Sequence, residues 1–279
     1  MKLKTTQWIA VSATILLVVV IYLFADTKKP PLTKSPEGSS HNTPKQEAET
    51  SKFDWEGYLK KVKANITGQD TLGLIANWEK SPSEANFRSL MNLYHTRGES
   101  VAEAYYTLQL GLQRKDSLLV RAGDLYAATS AISNDEDMHH YLIDQSVVSY
   151  KSAVEYDSSV ANRIKLANAY MEQGTAPMQG VGILLNIVAK DPDNVDALLL
   201  LGQFGIVSRQ YDKAIVRLEK VVSLRPQNYD AIYLLAVAYG NKGDKNKAIE
   251  LLDKCTKMVD KPDRKKIIED YKNSLLKGQ

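Results

Sequence analysis

A chain of 279 residues, 44% apolar and 25% charged, has the composition of a folded protein and is long enough for one sizeable domain with appendages. Its net charge of +3, with both signs spread evenly, is too small to be the electrostatic footprint of a nucleic-acid binder. Cys255 is the only cysteine, which excludes an internal disulfide and a cysteine-rich zinc site. It falls on an apolar helical face between Leu252 and Val259, the setting of a small hydrophobe.

Lys2 and Lys4 precede residues 8–24, bounded by Trp8 and Phe24, a run that carries no charge. At about 1.5 Å per residue such a run reaches about 25 Å, and Gln7 and Ala25 extend it toward the thickness of a bilayer core. Trp8 and Tyr22 lie near the two ends, where amphipathic rings prefer the interface. A basic start and an apolar centre are shared with cleaved signal peptides. Cleavage after Ala25, however, would place Leu23 where a small residue is needed. The expectation is an uncleaved transmembrane anchor at 8–25 behind a short cytoplasmic tail at 1–7. Lysines on the two sides nearly balance, with Lys28, Lys29 and Lys34 following the run. A short tail ahead of a long folded domain resembles a bacterial signal-anchor, which implies a single pass of the inner membrane with the domain in the periplasm. Residues 26–52 are rich in proline and small polar side chains with one isolated leucine, so they read as a disordered tether.

Two helices are expected over 53–66 and 71–78, carrying Trp55, Tyr58 and Trp78, as a cap spanning 53–83. Beyond them the chain repeats. At an offset of 34 residues, Pro192, Asn194 and Asp196 fall on Pro226, Asn228 and Asp230, and Leu201 and Gly202 on Leu235 and Ala236. The second halves agree equally, Ala214, Ile215 and Leu218 falling on Ala248, Ile249 and Leu252. Each unit reads as two amphipathic helices broken by a polar turn; in the last, Gly243 suits a helix stop and Asp244 a cap. Gly202 or Ala236 on the first helix and Ala214 or Ala248 on the second allow close packing.

Period, paired helices, small-residue positions and the closing Asp191-Pro192 or Arg225-Pro226 together resemble the tetratricopeptide repeat. The resemblance covers about 84–260 as five helix pairs and is most specific over 160–260. Upstream units are looser, with Leu166, Ala167 and Tyr170 ahead of an unusual turn at 174–180, and a longer insertion at 133–140. Gly205 stands where the family has an aromatic, and Asp260 where it has the closing proline. Residues 261–279 form a last capping helix. The fold implied is all-α, a solenoid of antiparallel helix pairs with one N-terminal transmembrane helix.

The sequence holds no phosphate-cradling glycine loop, nucleophile elbow or paired-histidine zinc helix. Asp135, Glu136 and Asp137 precede His139 and His140, but adjacent histidines on a helix diverge by about 100°, so a solvated polar loop is the better account. No cofactor, metal or catalytic role is expected. The resemblance implies a binding groove lined by first helices, where motif positions give Arg88, Asn92, Arg121, Lys165 and Asn168 early and Gln203, Ile206, Tyr233 and Val237 late. One end is then basic and amide-rich and the other apolar. Arg88 and Asn92 match the spacing of the carboxylate clamp in chaperone-binding members, but the later clamp lysine is missing.

The expected function is a membrane-tethered scaffold that binds a protein or peptide of the cell envelope, with no nucleic-acid partner. Tethered repeats of cytochrome c maturation and of envelope assembly are of similar design. A self-associating organiser and, with reversed topology, a cytosol-facing peptide receptor are the alternatives. Exchange of Arg121 and Lys165 is expected to abolish partner capture without loss of thermal stability.

Overall fold

The structure, a computed structural model, describes residues 53–66, 69–81 and 83–277. The expected anchor at 8–25 and tether at 26–52 lie outside those residues. Among the described residues there are thirteen helices and no strand, and no helix is long and apolar enough to cross a membrane. In chain order they are α1 (Trp55–Ala64), α2 (Gln69–Lys80), α3 (Glu84–Arg97), α4 (Ser100–Arg114), α5 (Leu118–Ser130) and α6 (Glu136–Tyr156). They continue with α7 (Val160–Gln173), α8 (Pro177–Lys190), α9 (Val195–Val207), α10 (Tyr211–Leu224), α11 (Tyr229–Lys242), α12 (Lys245–Met258) and α13 (Pro262–Lys277). Described residues up to Ser146 form one compact unit and those from Val147 a second, the boundary falling inside α6.

In the second unit α7 packs on α8, α9 on α10 and α11 on α12, each pair touches the next, and α13 packs on α12. The repeated residues explain the repeated elements. Asn194 and Asn228, 34 positions apart, cap α9 and α11, accepting from the Ala197 and Ala231 N–H groups at 3.1 and 2.9 Å. Gly243 ends α11 at φ 101°, a conformation with no Cβ to crowd, and Asp244 then caps α12. Between paired helices the small residues meet. A Cβ on Gly180 would stand 2.3 Å from the Ala167 carbonyl oxygen, and one on Gly202 2.6 Å from Leu218 Cγ. Leu184, Leu201, Leu218 and Leu252 fill the remaining space and are fully buried, as are Ala214 and Ala248.

The first unit is built around Phe87, Leu90, Tyr94 and Tyr106 on α3 and α4, with Val62 and Ile75 of α1 and α2 packed into the same core. Its opening segment is held by aromatic contacts. The Trp55 ring lies 4.4 Å from Tyr105, and Phe53 4.9 Å from Tyr141. Residues 136–140, expected in a loop, instead form the first turn of the 21-residue α6. The reason is local. Asp135 accepts from the Met138 N–H at 2.9 Å, and acids at Glu136 and Asp137 favour a helix N-terminus.

Two substitutions in α8 separate close packing from helix propensity. Gly180→Ala is expected to lose about 1–3 kcal/mol, since the neighbouring backbone cannot yield. Gly182→Ala, with open space around its Cβ, is expected to gain about 0.5–1 kcal/mol in the same urea titration. Cys255 is wholly buried and burial pushes its thiol up to about 12, so a thiol reagent at neutral pH is expected to label it only as fast as the protein opens. Labelling rates in native buffer and in denaturant check this.

Candidate functional site

The residues expected to meet a partner lie on α3, α5, α7, α9 and α11, the helices that the repeat pattern makes the first of each pair. Arg88 and Asn92 stand one turn apart on α3, both exposed. The Arg88 guanidinium donates twice to Glu84 Oε1, at 2.6 and 3.1 Å. Arg114 on α4 reaches Glu84 Oε2 at 2.7 Å and Asp116 at 2.6 Å. Hydrogen bonding from Arg88 and the charge of Arg114 hold the Glu84 carboxyl below its usual range. The patch is thus a surface network with its cations partly matched.

Arg121 on α5 has a different setting. Its Nη2 donates to Glu103 Oε1 at 2.9 Å, and Glu103, on α4, is only 2% exposed. The second carboxylate oxygen lies 3.2 Å from His95 Nδ1 on α3. One buried acid therefore ties three helices together, and Arg121 compensates its charge. This revises the expectation that Arg121 can be exchanged without loss of stability.

In the second unit Lys165 and Asn168 are half-buried on α7. Lys165 Nζ lies 5.7 Å from the centre of the Tyr150 ring, and the Asn168 amide donates to Glu172 at 2.8 Å. Gln203 on α9 is half-buried too. The apolar end of the expected groove is interior: Ile206 and Tyr233 are 8% exposed and Val237 1%. Tyr233 stacks on Tyr229 at 6.1 Å, and α13 brings Arg264 to 6.0 Å from the Tyr229 ring and Tyr271 against Gly240. The capping helix meets α11 at Tyr229 and Gly240, and Ile206, Tyr233 and Val237 are buried where the motif placed them on a surface.

Sequence reading missed Glu103, although an acid inside the apolar run Val101-Ala102-Glu103-Ala104 is a legible signal of a compensated charge. It missed Arg217, half-buried on α10, which donates to the Leu201 carbonyl at 3.3 Å and whose pKa burial lowers. Nothing in the repeat pattern marks that contact. His139 Nδ1 lies 3.0 Å from both the hydroxyl and the carbonyl oxygen of Ser130, and no three His, Cys, Asp or Glu side chains converge on a metal position among the described residues.

The family model for the tetratricopeptide repeat matches residues 206–264, from the end of α9 into α13. That match spans α10, α11 and α12, about a fifth of the chain. The peroxisomal targeting signal receptor of Saccharomyces cerevisiae is 31% identical over 105 residues, 38% of this chain, and that of Pichia angusta 34% identical over 84, or 30%. The chain covers only 17% and 15% of those receptors. Among solved structures, MamA is 20% identical with a TM-score of 0.47, over 60% of this chain and 93% of MamA. YrrB, a tetratricopeptide-repeat protein with an unusual peptide-binding site, is 17% identical with a TM-score of 0.44, over 66% and 91%.

Removing the compensating cation tests the buried acid. Arg121→Ala is expected to cost about 1–2 kcal/mol, less than for a fully buried pair because the arginine is half exposed to water. Adding Glu103→Gln to that variant is expected to restore most of the loss in equilibrium urea unfolding.

Proposed function

We propose that this protein is a non-catalytic tetratricopeptide-repeat scaffold, held at a bacterial inner membrane by residues 8–25, that binds a segment of another envelope protein. The observation that carries the reading is the division of labour on the first helices. Their apolar side chains are consumed by packing, while Arg88, Asn92, Lys165, Asn168 and Gln203 keep polar atoms at or near the surface of their own units. Polar side chains on a stiff helical face suit hydrogen bonding to an extended polypeptide. Arg121 adds charge at that face in the first unit while it holds Glu103. The buried Ile206, Tyr233 and Val237 lie beneath the surface and set its shape.

The family match supports protein or peptide binding, and the relatives named as receptors for a targeting signal point to the same class of ligand. The uncharged run at 8–25 supports the tether.

A photo-crosslinking amino acid placed in the full-length chain in its native membrane tests the surface. Crosslinks to one partner are expected from Asn92 and from Gln203 and not from Val216, an exposed residue on the second helix α10. Equal capture from Val216, or none at either first-helix position, defeats the reading. A C-terminal reporter active only in the periplasm is the expected topology result, and cytoplasmic activity reverses it.

A further inference from the structure

Among the described residues, two that are not glycine adopt a left-handed backbone, Lys115 at φ 52° and Arg209 at φ 59°. Arg209 lies in the turn between α9 and α10. The repeat supplies its own control, because 34 residues on, in the turn between α11 and α12, the corresponding position is Gly243 at φ 101°. An L side chain in that region crowds its own backbone, and glycine does not. A bulky residue kept there points to a use for its side chain.

The fold does not use it. Arg209 is exposed, and its guanidinium makes no hydrogen bond or ion pair among the described residues. Its neighbours are engaged: Lys213 Nζ donates to Gln210 Oε1 at 2.8 Å, and Lys242 Nζ meets Asp212 Oδ1 at 2.6 Å. Together with Asn241 these residues line an open cleft of about 310 Å³ between the turn and the C-terminal end of α11. Three cations face one carboxylate there, so the cleft keeps an excess of positive charge, and the guanidinium is the cation without a partner.

We propose that this cleft, at the turn edge of the second unit and apart from the first-helix surface, binds a carboxylate of an acidic polypeptide segment through Arg209. A planar guanidinium matches a carboxylate with two parallel N–H···O bonds. Lys213 stands beside it for a second acid of the same segment. Asp212 holds Lys242 in place and repels a compact dianion such as phosphate more strongly than a singly charged carboxylate. The cleft is open, which admits a side chain from an extended chain passing over it.

The probe is a fluorescein-labelled hexaglutamate peptide, titrated with the purified full-length protein and read by fluorescence anisotropy. The wild-type protein is expected to bind it, to ignore a hexaglutamine peptide, and to be displaced less well by inorganic phosphate than by unlabelled hexaglutamate. Arg209→Gly is expected to weaken binding roughly tenfold or more, the effect of a lost charge-assisted hydrogen bond. Its thermal midpoint is expected to stay the same or rise, because glycine fits the turn better, so weaker binding in this variant is not unfolding. Arg209→Lys, which keeps the charge and loses the fork, is expected to fall between the two. The proposal is overturned by unchanged binding in the glycine variant, by absent binding in the wild type, by phosphate competing better than hexaglutamate, or by a glycine variant that melts lower.

Discussion

Paired helices in the second unit approach so closely that no methyl group fits between Gly180 and the Ala167 carbonyl oxygen, and none beside Gly202 without moving Leu218. This close approach fixes the axial register of each hairpin, because only a small residue can occupy the crossing point and the large ones must flank it. Leu184, Leu201, Leu218 and Leu252 take those flanking places. Once the register is set, the remaining faces of each helix are assigned, and polar side chains on α7 and α9 are carried toward solvent by geometry alone. The tetratricopeptide pattern is the sequence record of that constraint.

The first unit meets a different problem. Its helices also pack through large apolar and aromatic side chains, but a carboxylate, Glu103, is enclosed among them. A charge in that position is tolerable only with its partners in place, and they come from the two neighbouring helices as His95 and Arg121. The pairing makes α3, α4 and α5 dependent on one another in a way that an apolar contact would not. It also means that a residue chosen from the motif as a ligand contact serves the fold.

Much of this architecture was legible in the sequence. The 34-residue offset placed Asn194 and Asn228 at equivalent starts, and both cap first helices; it placed Gly243 and Asp244 at a stop and a start, and both act so. Three features were not legible, each for a physical reason. The polar stretch at 136–140 looks like a loop by composition, but its acids and the Asp135 cap favour a helix start. Motif positions assume that a further helix pair or solvent follows, whereas α13 follows here, with Arg264 over the Tyr229 ring and Tyr271 against Gly240, and Tyr233 and Val237 are buried. An arginine in a left-handed turn is a tertiary fact, visible in sequence only as a departure from the repeat.

The covered end of the last hairpin has a consequence for assembly. Arrays of stacked hairpins grow by laying one more helix on an uncovered apolar end, and an end that stays bare invites a neighbouring molecule to continue the stack. Here Tyr271 and Arg264 already occupy the ground on α11 that such a neighbour would need, and Lys272, paired with Asp253, lies on the same covering helix. A neighbour docking on that face of α11 would first have to displace α13 from its contacts with Tyr229 and Gly240.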